Sequence, residues 1–271
     1  MEWKNIYRGL IMGASDVIPG VSGGTIAVLL GIYDRLIAAI NGLFSKEWKK
    51  HLMFLIPLGI GIGTAVLLLS NVIEWLFEHY PGPTQFFFLG LIIGILPYLF
   101  AQADVKRNFK VNHYILLLVG FVIVGSMIFL HSNEGAVIEE FTFTTYLFLF
   151  FSGFIASAAM ILPGISGSFI LLVLGVYTTV ISAISNLELD IIAVVGIGIV
   201  LGIITMSKII NYFLTHFRSG TFAVIIGLVI GSILVIFPGW PDSTNLLLLS
   251  VVSFAVGLFT AYILGKVEYT D

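Results

Sequence analysis

One stretch of this chain occurs twice. Residues 14–40 realign without a gap on residues 158–184 at a constant offset of 144, and twelve of the twenty-seven positions are identical. The identities are mostly residues with special backbone behaviour: Pro19/Pro163, Gly20/Gly164, Ser22/Ser166, Gly23/Gly167, Gly31/Gly175 and Tyr33/Tyr177. Similarity resumes at offset 137, where Gly59-Ile-Gly-Ile62 matches Gly196-Ile-Gly-Ile199. It continues through Ser70/Ser207, His79/His216, Thr84/Thr221, Gly90/Gly227 and Gly94/Gly231. Whatever unit the first half forms, the second half is built to form again.

That unit is made for lipid. Hydrophobic residues are 59% of the chain and charged residues only 10%, against about 25% charged in a soluble domain. Apolar runs long enough to cross about 30 Å of hydrocarbon lie near residues 52–76, 84–101, 114–131, 191–214, 221–238 and 245–264, three per half. The duplicated segments, roughly 9–40 and 146–184, differ because Pro and Gly interrupt each one midway. Each flanking piece of about fourteen residues makes about 21 Å of helix, too short to cross comfortably. A hairpin that enters and leaves by one face is the economical solution.

The basic residues orient these pieces, because cytoplasmic loops hold the Lys and Arg excess. Lys4 and Arg8 precede the first hairpin and Lys46, Lys49 and Lys50 follow it, so both of its ends fall inside. Three crossings then put Glu78 outside, Lys106, Arg107 and Lys110 inside, and Glu134, Glu139 and Glu140 outside. The second hairpin starts and ends outside, near Glu188 and Asp190, and the last spans place Arg218 and Lys266 inside and Asp242 outside. A motif segment that crossed only once would scatter the basic residues over both faces. The prediction is an all-α polytopic membrane protein, one membrane domain over residues 1–271, with cytoplasmic termini. It consists of two inverted repeats, each with one re-entrant broken-helix hairpin and three transmembrane helices: 9–131 with hairpin 9–40, and 146–264 with hairpin 146–184. Many secondary transporters share this plan.

The chemistry concentrates in Asp16-Val-Ile-Pro-Gly-Val-Ser-Gly-Gly-Thr25 and Met160-Ile-Leu-Pro-Gly-Ile-Ser-Gly-Ser-Phe169. Pro19 and Pro163 remove an amide donor, Gly20 and Gly164 permit positive φ, and so a helix stops and another begins. Unwound backbone at membrane depth is tolerated only where protein or water covers it, so the two tips are expected to meet in a shared polar cavity. Ser22, Gly23, Gly24 and Thr25, with Ser166, Gly167 and Ser168, then present amides and hydroxyls where the outgoing half-helices start, an anion site suited to phosphate. The plain alternative is that these glycines only let helices pack closely. Retention of Pro-Gly-x-Ser-Gly in both copies favours a site.

Among individual residues, Asp16 is an acid at membrane depth, a candidate carrier of a coupling proton or sodium ion or else a helix cap. Arg35 suits bidentate phosphate binding, or snorkelling and pairing with Asp34. Lys208, about 12 Å of helix from His216, either points inward to the phosphate or reaches the interface. His79 and His216 fall at opposite faces, so no metal site is expected, and no cofactor. With no Cys, thiolate chemistry is excluded, and a net charge of -3 with scattered basic residues leaves no nucleic-acid footprint.

Gly13-Ala-Ser-Asp-Val-Ile-Pro-Gly-Val-Ser-Gly-Gly-Thr-Ile26 with Gly31-Ile-Tyr-Asp-Arg35, and Leu162-Pro-Gly-Ile-Ser-Gly-Ser168 with Leu174-Gly-Val-Tyr177, resemble the PopT family of bacterial polyprenyl-phosphate transporters over nearly the whole chain. The resemblance implies a transporter of the bacterial plasma (inner) membrane and not an enzyme. Its cargo would be undecaprenyl phosphate, the lipid carrier of wall-polymer synthesis, returned from the outer to the inner leaflet. Composition and spacing alone reach an anion-binding membrane transporter. Moving one negative charge inward against 100 mV costs about 2.3 kcal/mol, so coupling to H+ or Na+ through Asp16 is expected. One rival is a membrane lipid-pyrophosphate phosphatase, which needs a nucleophile, a base and a cation together. The breaks offer Ser without a neighbouring His, Glu or Arg. The other rival is a small-anion channel or exchanger. Oligomeric state has no signature in the sequence.

Overall fold

The computed structural model of the protein describes residues 2–16, 22–43, 45–130, 137–138, 140–241 and 243–269. Pro19, Gly20, Glu134, Glu139 and Asp242 lie outside the described residues. The rest is helical: α1 Lys4–Asp16, α2 Gly23–Leu29, α3 Tyr33–Gly42, α4 Trp48–His79, α5 Pro81–Gln102, the short α6 Val105–Asn108, and α7 Val111–Gly125 with a 3-10 turn at its end. After it come α8 Phe143–Ile161, α9 Gly167–Val173, α10 Tyr177–Asn186, α11 Leu189–His216, α12 Arg218–Ile236 and α13 Thr244–Tyr269.

Seven described helices are long and apolar enough to cross a membrane: α4, α5, α7, α8, α11, α12 and α13. This is a multi-pass membrane protein. Six of the seven are the runs read from sequence. The seventh, α8, is the incoming limb of the second motif segment, and its 19 residues reach about 28 Å, longer than the fourteen residues expected. Its counterpart α1 has 13 residues.

The outgoing limbs also depart from expectation. Each breaks a second time, α2 from α3 by 118° and α9 from α10 by 111°, at Gly31 (φ 62°) and Gly175 (φ 71°). The cause is local. Gly31 N–H donates to the Val28 carbonyl and Ile32 N–H to that of Ala27, and Gly175 and Val176 repeat this on Leu172 and Leu171. This double bond pattern closes a helix when the residue past its end adopts the left-handed conformation that glycine allows. Only seven residues of helix therefore follow each motif.

Four helix pairs carry most of the packing: α1 on α4, α8 on α11, α5 on α13 and α7 on α12. The final helix of each half thus lies against the middle helix of the other. Each pair is seated on glycines, Gly9 with Gly61, Gly153 and Gly198 against Val195 and Phe150, Gly90 and Gly257 against Phe254 and Phe87, and Gly120 with Gly227. A Cβ at any of them would strike backbone of the facing helix. Close backbone approach through small residues drives helix association where lipid removes the hydrophobic incentive.

Each broken segment starts and finishes at one end of the molecule. At the first end Glu2 pairs with Arg35, and its N–H donates to the Met53 carbonyl. Arg218 pairs there with Asp34, and Arg8 with Glu268. At the second end the Ile138 N–H donates to Thr179 Oγ1 and Tyr146 bonds Asp190. The 28 residues of α11, about 42 Å of helix, run from the second end to the first. Between the ends, every residue of α2 is buried, packed by α1, α5, α8 and α13, whereas α9 holds no fully buried residue.

Candidate functional site

The motif tips meet, and their polar groups serve one another. Helix α8 ends at Ile161, which leaves its last carbonyls without partners further along the helix. The first segment supplies the donors. The Ser22 hydroxyl faces the carbonyls of Met160 at 3.2 Å and Leu162 at 3.5 Å, and Tyr33 Oη donates to Ile161 O at 3.1 Å. In return Thr25 Oγ1 accepts the Gly164 N–H at 2.8 Å. Ser22 and Thr25 are 1% exposed. Gly164 has φ 88°, and a Cβ there would lie 2.6 Å from the Leu228 carbonyl of α12, so glycine is required twice over.

The amides expected to cradle an anion are occupied from within. Gly23 N–H donates to Asp16 Oδ1 at 2.7 Å, and Gly24 N–H to Ser22 Oγ at 3.1 Å. Asp16 thus sits as an internal anion at the start of α2. In the second copy Ser166 and Ser168 bond each other at 2.8 Å. Gly167 packs against Ala156 O and Met160.

The open space lies beside the tips. A cavity of about 880 Å³ is walled by α7, α11 and α12 and reaches Tyr33 and Leu162. Its walls are apolar, with Met206, Ile210 and Phe213 facing Val224, Ile225 and Leu228. Its rim is polar and basic, with Asn108, Lys110, Asn112, His113, His216 and Arg218. The first turn of α12 contributes Ser219 and Gly220, whose amides precede the helix's first internal bond, and Thr221, whose N–H already donates to the Phe217 carbonyl. Helix α12 packs on both α7 and α11, while α7 and α11 share no extensive contact, so the cavity separates them. An apolar trough with a cationic rim has the chemistry to hold an amphiphile with an acidic head.

The family described as VCA0040-like, undecaprenyl phosphate translocase-like, matches residues 12–252. The chain belongs to this family. Two relatives carry the name polyprenyl-phosphate transporter. The one from Staphylococcus aureus is 45% identical over 274 residues, covering 98% of this chain and 97% of its own length. The one from Vibrio cholerae is 37% identical over 259 residues, covering 90% and 80%. No solved structure matches the chain.

In this member of the family, Tyr33 and the loop around Pro163 join motif and cavity, but two basic residues singled out from sequence lie elsewhere. Arg35 pairs with Glu2 at 2.6 Å over the Phe54 ring, outside the cavity lining. Lys208 is an exposed residue of α11, also outside that lining. The rim residues Lys110, His113 and Arg218 do not stand out in the sequence as candidates. Their signal was the difference between the copies, since offset 137 sets Leu247, Ser250 and Pro81 against them.

Proposed function

We propose that this protein carries a polyprenyl phosphate across the bilayer, its phosphate head in the basic-rimmed cavity and its isoprenoid tail passing between α7 and α11 into lipid. The cavity carries this reading, because an apolar trough opening sideways with cations at its rim fits a lipid anion better than a free ion. The family and the two named transporters point the same way. The two halves act as inverted copies, and rocking of one against the other exposes the head alternately to the two leaflets. The basic end is cytoplasmic and the cargo returns from outer to inner leaflet. Asp16 carries the coupling proton or sodium ion, since discharge of its carboxylate would weaken its hold on the Gly23 amide and loosen the joint between α1 and α2. The amides and hydroxyls of Ser22, Gly23, Gly24, Thr25, Ser166, Gly167 and Ser168 reach the phosphate only after that joint opens.

Leaflet-specific labelling of undecaprenyl phosphate in proteoliposomes tests this. Protein-dependent movement that is lost in a Ser22→Ala plus Ser166→Ala variant is the expected result. Movement unchanged in that variant removes the tips from the mechanism. Phosphate release from a lipid pyrophosphate would make the protein a phosphatase, and anion flux through vesicles free of polyprenyl lipid would make it a channel. Because the chain has no Cys, single cysteines at the exposed positions 3 and 45 report topology directly. Labelling from the same side is expected, and labelling from opposite sides overturns the re-entrant reading.

A further inference from the structure

From the ion pair that joins the two halves at the cavity rim, we infer that Arg218 is the residue that takes the phosphate, and that Asp34 holds it in the phosphate's absence. This rests on the transport reading above and names the group that recognises the cargo. Arg218 Nη2 lies 3.0 Å from Asp34 Oδ2, with 56% of the arginine side chain exposed. Its guanidinium lies over the ring of Phe222 at 5.1 Å, and Phe222 is 2% exposed, so the cation is seated on a fixed platform at the lip. A guanidinium presents five donors in a planar fork suited to two phosphate oxygens. Among the described residues its one ion pair is to Asp34. Of the other arginines at this end, Arg107 on α6 lies outside the cavity lining, and two are committed elsewhere. Arg8 bonds both carboxylate oxygens of Glu268 and Asn5 Oδ1, and Arg35 pairs with Glu2.

Asp34 has the character of a stand-in. Its Oδ1 is buried without a hydrogen-bond partner, so its carboxylate is half used. Asp34 opens α3 in the first half and Arg218 opens α12 in the second, and Tyr33 next to Asp34 lines the cavity. A phosphate that displaces Asp34 from Arg218 therefore unties α3 from α12, and loading the site releases the clasp between the halves. The clasp exists at one end only, because the repeat sets Thr178 against Asp34 and Pro81 against Arg218. Once the phosphate leaves Arg218 the pair with Asp34 can re-form, so the clasp closes the basic end of the emptied carrier and cargo opens it.

The test measures binding of a short-chain polyprenyl phosphate, the matching polyprenol and inorganic phosphate to purified protein, beside leaflet transport in proteoliposomes. Arg218→Lys is expected to weaken binding of the polyprenyl phosphate about tenfold or more, since the bidentate fork is lost, and to leave polyprenol binding unchanged. Asp34→Asn removes the competitor, so phosphate-lipid binding tightens severalfold while opening of the basic end without cargo, read as lipid-independent exposure of a cysteine at position 116, rises. Asp34→Arg with Arg218→Asp restores a clasp without restoring phosphate binding. Wild-type binding in Arg218→Lys, or weaker binding in Asp34→Asn, overturns the inference while the transport reading stands. Inorganic phosphate bound as tightly as the lipid would place the specificity in free phosphate and overturn the assignment to a lipid head. Failure of the wild-type protein to move any polyprenyl phosphate would instead sink the transport reading.

Discussion

The basic-rimmed cavity has a counterpart between α4, α5 and α13. Residues lining the larger space map at offset 137 onto residues lining a smaller one of about 500 Å³: Ile210 on Ile73, Phe213 on Leu76, Phe217 on Tyr80, Thr221 on Thr84, Val224 on Phe87 and Ile225 on Phe88. The scaffold is the same and the furnishing is not. Val224 and Ile225 leave room where Phe87 and Phe88, packed edge to face at 5.0 Å, take it up. The lip that carries Arg218 and Lys110 on one side carries Trp75 and Tyr80, in ring contact, on the other. The two halves carry two troughs, and a handful of side chains leaves one of them roomier and basic at its lip.

The tips differ in the same sense. Ser22, Thr25 and Tyr33 of the first copy all bond backbone of the second, while among the described residues the Ser166 and Ser168 hydroxyls bond each other and not the first copy. The first copy behaves as a plug that completes the broken backbone of the second. Its counterpart is left partly accessible.

Exchanging residues between copies probes this contrast, and the largest effect is expected at the walls. Val224→Phe with Ile225→Phe should cut transport about a hundredfold, equivalent to about 2.7 kcal/mol, with helicity by circular dichroism unchanged. The reverse exchange, Phe87→Val with Phe88→Ile, should change transport less than about threefold, under about 1 kcal/mol on the same scale. Equal losses in both would make the two troughs equivalent. Next in size is Gly24→Ser, the residue of copy two placed in copy one. Its Cβ would sit 3.0 Å from the Ile161 carbonyl, and overpacking of that kind costs about 2 kcal/mol, measured as a shift in detergent unfolding.

Ser22→Ala should cost about 1 kcal/mol, because a cap and a bond between the copies both vanish. Ser166→Ala, which gives up a single bond to Ser168, should cost about half as much. The order of the two melting shifts is the check, and a reversal would remove the plug interpretation. Smallest of all, Arg35→Gln should change stability by less than about 0.5 kcal/mol, as exposed ion pairs do, and leave transport intact. Its repeat partner Thr179, 1% exposed and bonded to the Ile138 N–H, should cost about 1–2 kcal/mol as Thr179→Ala.

Much of this was legible beforehand. The membrane-spanning runs followed from hydropathy, and the motif break followed from Pro163 and Gly164, because both depend on a residue's own backbone and its near neighbours. The second break at Gly31 and Gly175 was visible as a repeated glycine but went unread as a helix stop. Arg35 and Lys208 were picked for their charge. Charge does not say which way a side chain points: Arg35 pairs with Glu2, and Lys208 is exposed on α11 outside the cavity lining.

By itself, then, the chain's order of residues determined a lipid-embedded helical protein with a duplicated motif interrupted at Pro and Gly, since helix, break and span are set by forces acting over a few residues. Only the tertiary structure decided that Asp16 takes the Gly23 amide, that Ser22 and Thr25 close the gaps in the other copy, and that the open space lies against α12 with Arg218 at its rim. Those outcomes depend on which helices come together, and here that is settled by close glycine contacts such as Gly257 on Phe87 and Gly120 on Gly227, between partners more than a hundred residues apart.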